Sequence, residues 1–188
     1  MAFYINGLDK SSSREIAYYL RKCILHHRRP WTELVFLCIG TDRIAGDALG
    51  PYIGYQLSKY QIPRACVYGT LRDPVHALNL ETVASQIQDE HFCPLVVAID
   101  ASLGTKKHLG CVTIENGPLY PGAGVQKNLS PVGDISITGI VNISGLFEQF
   151  ILQTTRLSTV IAMADSITEG ILRVIPQYYA LSERNLSI

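Results

Sequence analysis

Short, continuous apolar runs rich in β-branched residues alternate with stretches of helical period, and this alternation restricts the fold more than any other feature. The runs at 34–39 (LVFLCI), 65–68 (ACVY) and 95–99 (LVVAI) read as strands, and 51–60 and 79–87 between them as helices. A strand with no polar alternation has no face to offer water, so it must be covered on both sides. That selects a mainly parallel sheet between two helical layers. Residues 108–114 follow the third run too closely for a crossover helix and read as an antiparallel addition. Farther on, Ile143, Leu146, Phe147, Phe150 and Ile151 mark an amphipathic helix, 159–164 a last strand, and Ile167, Ile171, Val174, Ile175 and Tyr178 a last helix. Near the start, Ser12 with Glu15 makes a capping-box pattern, and Ile16, Leu20, Cys23 and Ile24 recur on one face until HHRRP stops the helix. His26, His27, Arg28 and Arg29 there complement the negative end of the helix dipole. The expected fold class is α/β: a three-layer α/β/α sandwich on a mostly parallel five-stranded sheet with one antiparallel strand. Residues 1–11 are expected to be an N-terminal tail, and 12–188 a single α/β/α domain.

Bulk properties narrow the partners. Sixteen basic residues balance sixteen acidic ones, so no charge excess favours nucleic acid or an anionic membrane. No uncharged apolar run is long enough to span a bilayer. Met1 to Lys10 lacks a basic start followed by an apolar core and small-residue cleavage site, so no secretory signal is expected. The five cysteines, Cys23, Cys38, Cys66, Cys93 and Cys111, form no C-x-x-C pair and read as buried small hydrophobes in a reducing cytosol.

The chemistry concentrates at strand ends. In a right-handed doubly wound sheet, a crevice opens at the carboxyl edge where successive connections leave to opposite faces. If the second run flanks the first on one side and the third flanks it on the other, the strands bordering the crevice end in CIGTDRIAGDALGP and VVAIDASLG. Asp47 and Asp100 then converge, although 53 positions separate them along the chain. Each has a plain structural alternative: Asp47 as an N-cap ahead of Pro51, and Asp100 in an Asx-turn. Two carboxylates across a desolvated cleft resist double ionisation, share a proton, and can deprotonate a water while protonating a leaving group. The same pair can hold a divalent metal if a third ligand joins, with His76 of GTLRDPVHALNLE the nearest choice. Spacing does not separate these alternatives. No cofactor is expected, with a divalent metal as the exception.

Rival motifs are weak. Gly40, Gly46 and Gly50 do not form G-x-G-x-x-G, no glycine-rich loop ends in Lys followed by Ser or Thr, and G-x-S-x-G is missing. His76 doubles as a proton donor or as cover for the next helix's first turn. Asp134 in VGDISITG caps the following helix or, with Ser136 and Thr138, positions a substrate. Residues 116–133 form a long Gly- and Pro-rich loop of the kind used as a lid, where Lys127 could meet an anionic group.

Taken in order, CIGTDRIAGDALGP, YGTLRDPVHALNLE, VVAIDASLG, PGAGVQKNL and VGDISITGIVN resemble the YyaC-type sporulation proteins, relatives of the spore germination protease. The resemblance runs from about Leu34 to Ala164. It implies a hydrogenase maturation protease-like fold. It also implies an aspartic-type endopeptidase acting on small acid-soluble spore proteins in the cytoplasm of a sporulating cell or forespore. By the same resemblance, the aspartate of the D-A-L-G-P turn and that of the A-I-D-A strand, Asp47 and Asp100 here, are the catalytic candidates. Hydrogenase maturation proteases use a later histidine to engage nickel in their substrate. GDISITG has none, which leaves His76 on another loop. A protein-binding module without catalysis is the alternative, and a homo-oligomer is compatible with either.

Overall fold

The computed structural model describes residues 3–121 and 129–185. One sheet of six strands runs in the order β1, β5, β6, β4, β2, β3. The strands are β1 (Phe3–Asn6), β2 (Glu33–Cys38), β3 (Ala65–Tyr68), β4 (Pro94–Gly104), β5 (Cys111–Asn116) and β6 (Ile135–Ile143). The pairs β6–β4, β4–β2 and β2–β3 are parallel, whereas β5 is antiparallel to both β6 and β1. The helices are α1 (Ser12–Leu25), α2 (Leu49–Leu57), α3 (Leu80–Glu90), α4 (Glu148–Gln153) and α5 (Leu157–Asn185).

Alternation along the strands builds two cores. Leu34, Phe36, Leu95, Val97 and Ile99 face α1, α2 and α5, where they meet Ile16, Ile53 and Ile171. Val35, Leu37, Val96 and Ala98 face α3, whose Leu80 and Ile87 cover them. Connections through α2 and α3 therefore lie on opposite faces, so the three-layer expectation holds and β2–β4 is the switch point. The N-cap of α1 is Ser11, one residue earlier than expected, and its hydroxyl does not cap the backbone but donates to Glu15 Oε1 at 3.0 Å. At its other end the His26 ring bonds the Lys22 carbonyl at 2.8 Å.

Several sequence expectations give way. The sheet has six strands instead of five because Phe3–Asn6, assigned to the tail, pairs with β5. Residues 159–164 lie inside α5: Val160, Met163, Ala164, Ile167 and Ile171 are buried at helical spacing. A short branched run has no length to distinguish strand from buried helix. The missing strand is β6, where buried Ile135 and Ile137 alternate with half-buried Ser136 and Thr138. The expected helix from Ile143 shrinks to α4, where Leu152 is buried, whereas Leu146, Phe147 and Phe150 are 92%, 78% and 64% exposed. The loop at 116–133 is pinched at its base by Leu119 and Val132, which exchange backbone hydrogen bonds of 2.8 and 2.9 Å. Lys127 lies outside the described residues, as does the side chain of Tyr178. Cys23 and Cys38 are buried as expected, but Cys66 and Cys111 are half-buried and Cys93 is exposed. No described helix is long and apolar enough to cross a membrane.

Gly50, in the first turn of α2, lets that helix lie against the end of β2. A Cβ there would fall 2.1 Å from the Ile39 carbonyl oxygen, a backbone atom unable to rotate away. Gly50→Ala is expected to lower stability by about 1–3 kcal/mol, read as a lower urea midpoint at unchanged slope.

Candidate active site

Beyond the hydrogen bond from Ile39 N to Ile99 O, at 2.7 Å, β2 and β4 part. β4 continues alongside β6, and Asp100, opposite Thr138, is the first β4 residue past the break. On the other lip, Gly40 has φ of +136° and lies so near the Asp47 backbone that a Cβ would come within 2.1 Å of the Asp47 carbonyl oxygen. The chain then loops through Thr41–Ile44 and returns, with Thr41 N bonding Asp47 O at 3.1 Å. Asp47 closes a short 3₁₀ turn, Ala45–Asp47. The residue flanking α2 is Ala48, and no side chain caps that helix. The glycine-framed turn therefore presents its acid to the cleft and does not spend it on the helix end.

Asp47 and Asp100 both line a cleft of about 630 Å³, together with Ile39, Thr41, Arg72 and His76. Burial raises the Asp47 carboxyl to about 6, against the pull of the Thr41 backbone N–H. Asp100 is 8% exposed. Burial lifts its carboxyl well above the ordinary range, the Asp47 charge lifts it further, and the Ala101 N–H, 2.7 Å from Oδ1, opposes both. Near neutral pH this arrangement favours one ionised and one protonated carboxyl.

The remaining sequence candidates divide. His76 lines the cleft and also covers the start of α3: its Nδ1 accepts the Leu78 N–H at 3.3 Å, and its carbonyl receives the N–H groups of Asn79 and Leu80. In the neutral ring that bond leaves the proton on Nε2. Ser136 and Thr138 border a second cavity of about 200 Å³, with Thr113 and Glu115, and Asp100 forms part of both walls. Asp134 does not belong to the site. It sits before β6 at the opposite edge of the sheet, where its carboxylate accepts the Val96 N–H at 3.0 Å and pairs with Arg29. It thus holds strand ends together instead of capping a helix or positioning a substrate, and Arg29 is engaged there instead of facing water alone. The ligand atoms of Asp47, Asp100 and His76 do not gather within 4.8 Å; among the described residues the group of three that does is Glu33, Cys66 and His91.

Sequence reasoning missed the cleft residues from other elements. Arg43 and Arg72 reach it from two loops, and Gln149 and Leu152 from α4. Arg43 and Arg72 lie inside the motifs quoted above, whereas nothing in the spacing of Gln149 and Leu152 marks them.

Residues 4–170 match the family described as "Protein of unknown function (DUF1256)". The chain belongs to this family. This DUF1256 protein is 45% identical over 168 residues to the uncharacterised protein YyaC of Bacillus subtilis (strain 168), an alignment covering 89% of this chain and 81% of YyaC. Its fold is similar to that of the [NiFe] hydrogenase maturation protease HycI from Thermococcus kodakarensis KOD1. The TM-score is 0.55 at 17% identity, over 84% of this chain and 99% of HycI. The hydrogenase maturation protease-like fold is therefore shared, at an identity that speaks for architecture alone.

The raised Asp47 carboxyl has a stability consequence. The folded state keeps that proton up to about pH 6, whereas the unfolded chain releases it near pH 4. Its contribution is complete below about pH 4 and is lost as pH rises through about 6. Asp47→Asn is expected to raise the unfolding free energy at about pH 8 by up to about 3 kcal/mol, with the advantage shrinking towards acid pH. Urea titrations of both proteins across that range measure it.

Proposed function

We propose that this protein is a peptidase of the germination-protease type, hydrolysing peptide bonds in a protein substrate with water activated between Asp47 and Asp100. One observation carries the reading: two carboxyls from separate strand ends share a desolvated cleft, and the charge of one raises the proton affinity of the other. Asp47, whose carboxyl is held near 6, is the ionised partner at neutral pH and takes a proton from the attacking water. Asp100 donates its proton to the scissile carbonyl oxygen as the water oxygen adds to the carbonyl carbon. The proton that Asp47 took from the water then passes to the amide nitrogen as the C–N bond breaks, and a hydroxyl of the tetrahedral intermediate returns its proton to Asp100 as the new carboxyl forms. His76 Nε2–H, on the cleft wall, is a donor for a substrate carbonyl. Ser136 and Thr138 offer hydroxyls to an extended peptide on the far side of Asp100.

The rim suits a polypeptide. Leu78 on one side and Gln149 with Leu152 on another line the cleft, and exposed Phe147 and Phe150 lie within and beside the same short helix. Apolar side chains left open to water beside a polar cleft are a common mark of a surface that receives another chain. By resemblance, the substrate class is the small acid-soluble spore proteins and the compartment is the cytoplasm of a sporulating cell or forespore.

Cleavage of such proteins by the wild type, Asp47→Asn and Asp100→Asn tests the proposal. Each substitution is expected to lower kcat by at least about 100-fold. Equal turnover in all three would exclude the mechanism, and absence of turnover in the wild type would favour a protein-binding module. The rate should rise through about pH 6 as Asp47 ionises and fall at higher pH as Asp100 loses its proton. A pH profile that stays flat through about 6 would contradict the assignment of Asp47 as base.

A further inference from the structure

At the edge of the sheet opposite the cleft, two strands and one helix end bring a carboxylate, a thiol and an imidazole together. Glu33 opens β2 and has the parity of Val35 and Leu37, which face α3. Cys66 in β3 has the parity of Tyr68, which packs on the same side. His91 follows directly after α3. The ligand atoms of these three residues all lie within 4.8 Å of one another, and His91 Nδ1 is 3.1 Å from Glu33 Oε2. Two atoms each about 2.0 Å from a tetrahedral zinc lie about 3.3 Å apart. The Glu33–His91 edge therefore already has the spacing of two ligands on one ion.

The surroundings orient the imidazole. The Tyr68 hydroxyl donates to Glu90 Oε2 at 2.9 Å and lies 2.8 Å from His91 Nε2. With its own proton directed at Glu90, the phenol oxygen accepts Nε2–H, so Nδ1 faces Glu33 and Cys66 carrying either a second proton or a metal. A metal-bound histidine is commonly oriented by donating its other ring N–H to an oxygen acceptor, and the Tyr68 oxygen stands in that place.

We propose that Glu33, Cys66 and His91 form a binding site for a zinc-class divalent cation, with solvent in the fourth position. A thiolate and an imidazole beside one carboxylate suit zinc far better than magnesium or calcium. The side chains of His91 and Glu33 are 9% and 24% exposed, which leaves a path for the ion. On binding, Cys66 gives up its thiol proton and His91 its Nδ1 proton, both to solvent. The ion then ties β2, β3 and the end of α3 into one unit. The site is independent of the peptidase reading, because it lies at the other end of the parallel strands.

The test uses the full chain, stripped by chelator and titrated with Co(II). The expected result is one equivalent bound, with a thiolate-to-cobalt charge-transfer band that Zn(II) displaces. Cys66→Ser should abolish the band, and Tyr68→Phe should weaken affinity about 10- to 100-fold while leaving the band intact. Zn(II) should raise Tm in the wild type and not in Cys66→Ser, which also reads the site if substitution disturbs the spectrum. Absence of a thiolate band, or a band that survives Cys66→Ser, overturns the proposal and leaves a Glu33–His91 ion pair only. Cobalt binding lost in Asp47→Asn and Asp100→Asn but kept in Cys66→Ser overturns it too, by placing the metal in the cleft.

Discussion

The divergence of β2 and β4 beyond the hydrogen bond from Ile39 to Ile99 organises this protein, because it opens a cleft between two strands that are otherwise buried on both faces. The middles of β2 and β4, covered by α2 on one side and α3 on the other, are buried up to that break. Whatever polar group sits at that break is taken from water and held in a low dielectric. Asp100 sits there on β4, and the turn leaving β2 brings Asp47 to the same space. The proton affinity of both acids follows from that placement more than from any direct partner, since burial is the largest influence on each.

Backbone geometry does the positioning. Gly40 and Gly50 allow close approaches to the Asp47 and Ile39 carbonyls that any larger residue would block, so the acid is fixed by packed main chain and not by a flexible side-chain network. A site built this way stores an electrostatic cost in a rigid frame, which is how a fold can keep a carboxyl protonated near neutral pH. The opposite edge is held differently. There Asp134 with Arg29, and Glu33 with His91, join neighbouring elements by polar side-chain contacts. α3 links the two ends: His76 lies just before it at the cleft, and His91 just after it at the other edge.

Much of this was legible in residue order. The runs containing Phe36, Val67 and Val97 announced covered parallel strands, and the order of β3, β2 and β4 is the one on which the expected crevice was conditional. The readings that failed did so where one-dimensional signals are degenerate. The segment from Thr159 to Ala164 has the composition of a strand, and only its continuity with Ile167 and Ile171 on one face makes it helix. In β6, Gly139 and the alternating Ser136 and Thr138 masked a strand whose other face is fully buried. Asp134 looked like a cap because Asp before an apolar segment usually is one. Its real partners, Val96 and Arg29, are 38 and 105 positions away.

By itself the sequence determined the class of fold, the DUF1256 family membership and the two acids most worth watching, because periodicity, glycine placement and ordered motifs are local properties that survive without coordinates. Only the tertiary structure decided which acids keep company. It placed Asp47 and Asp100 on one cleft, removed Asp134 to the far edge, and gathered Glu33, Cys66 and His91 where no spacing rule would seek them. The physical reason is that burial and electrostatic coupling depend on distance through space, which chain order constrains only after the strands have paired.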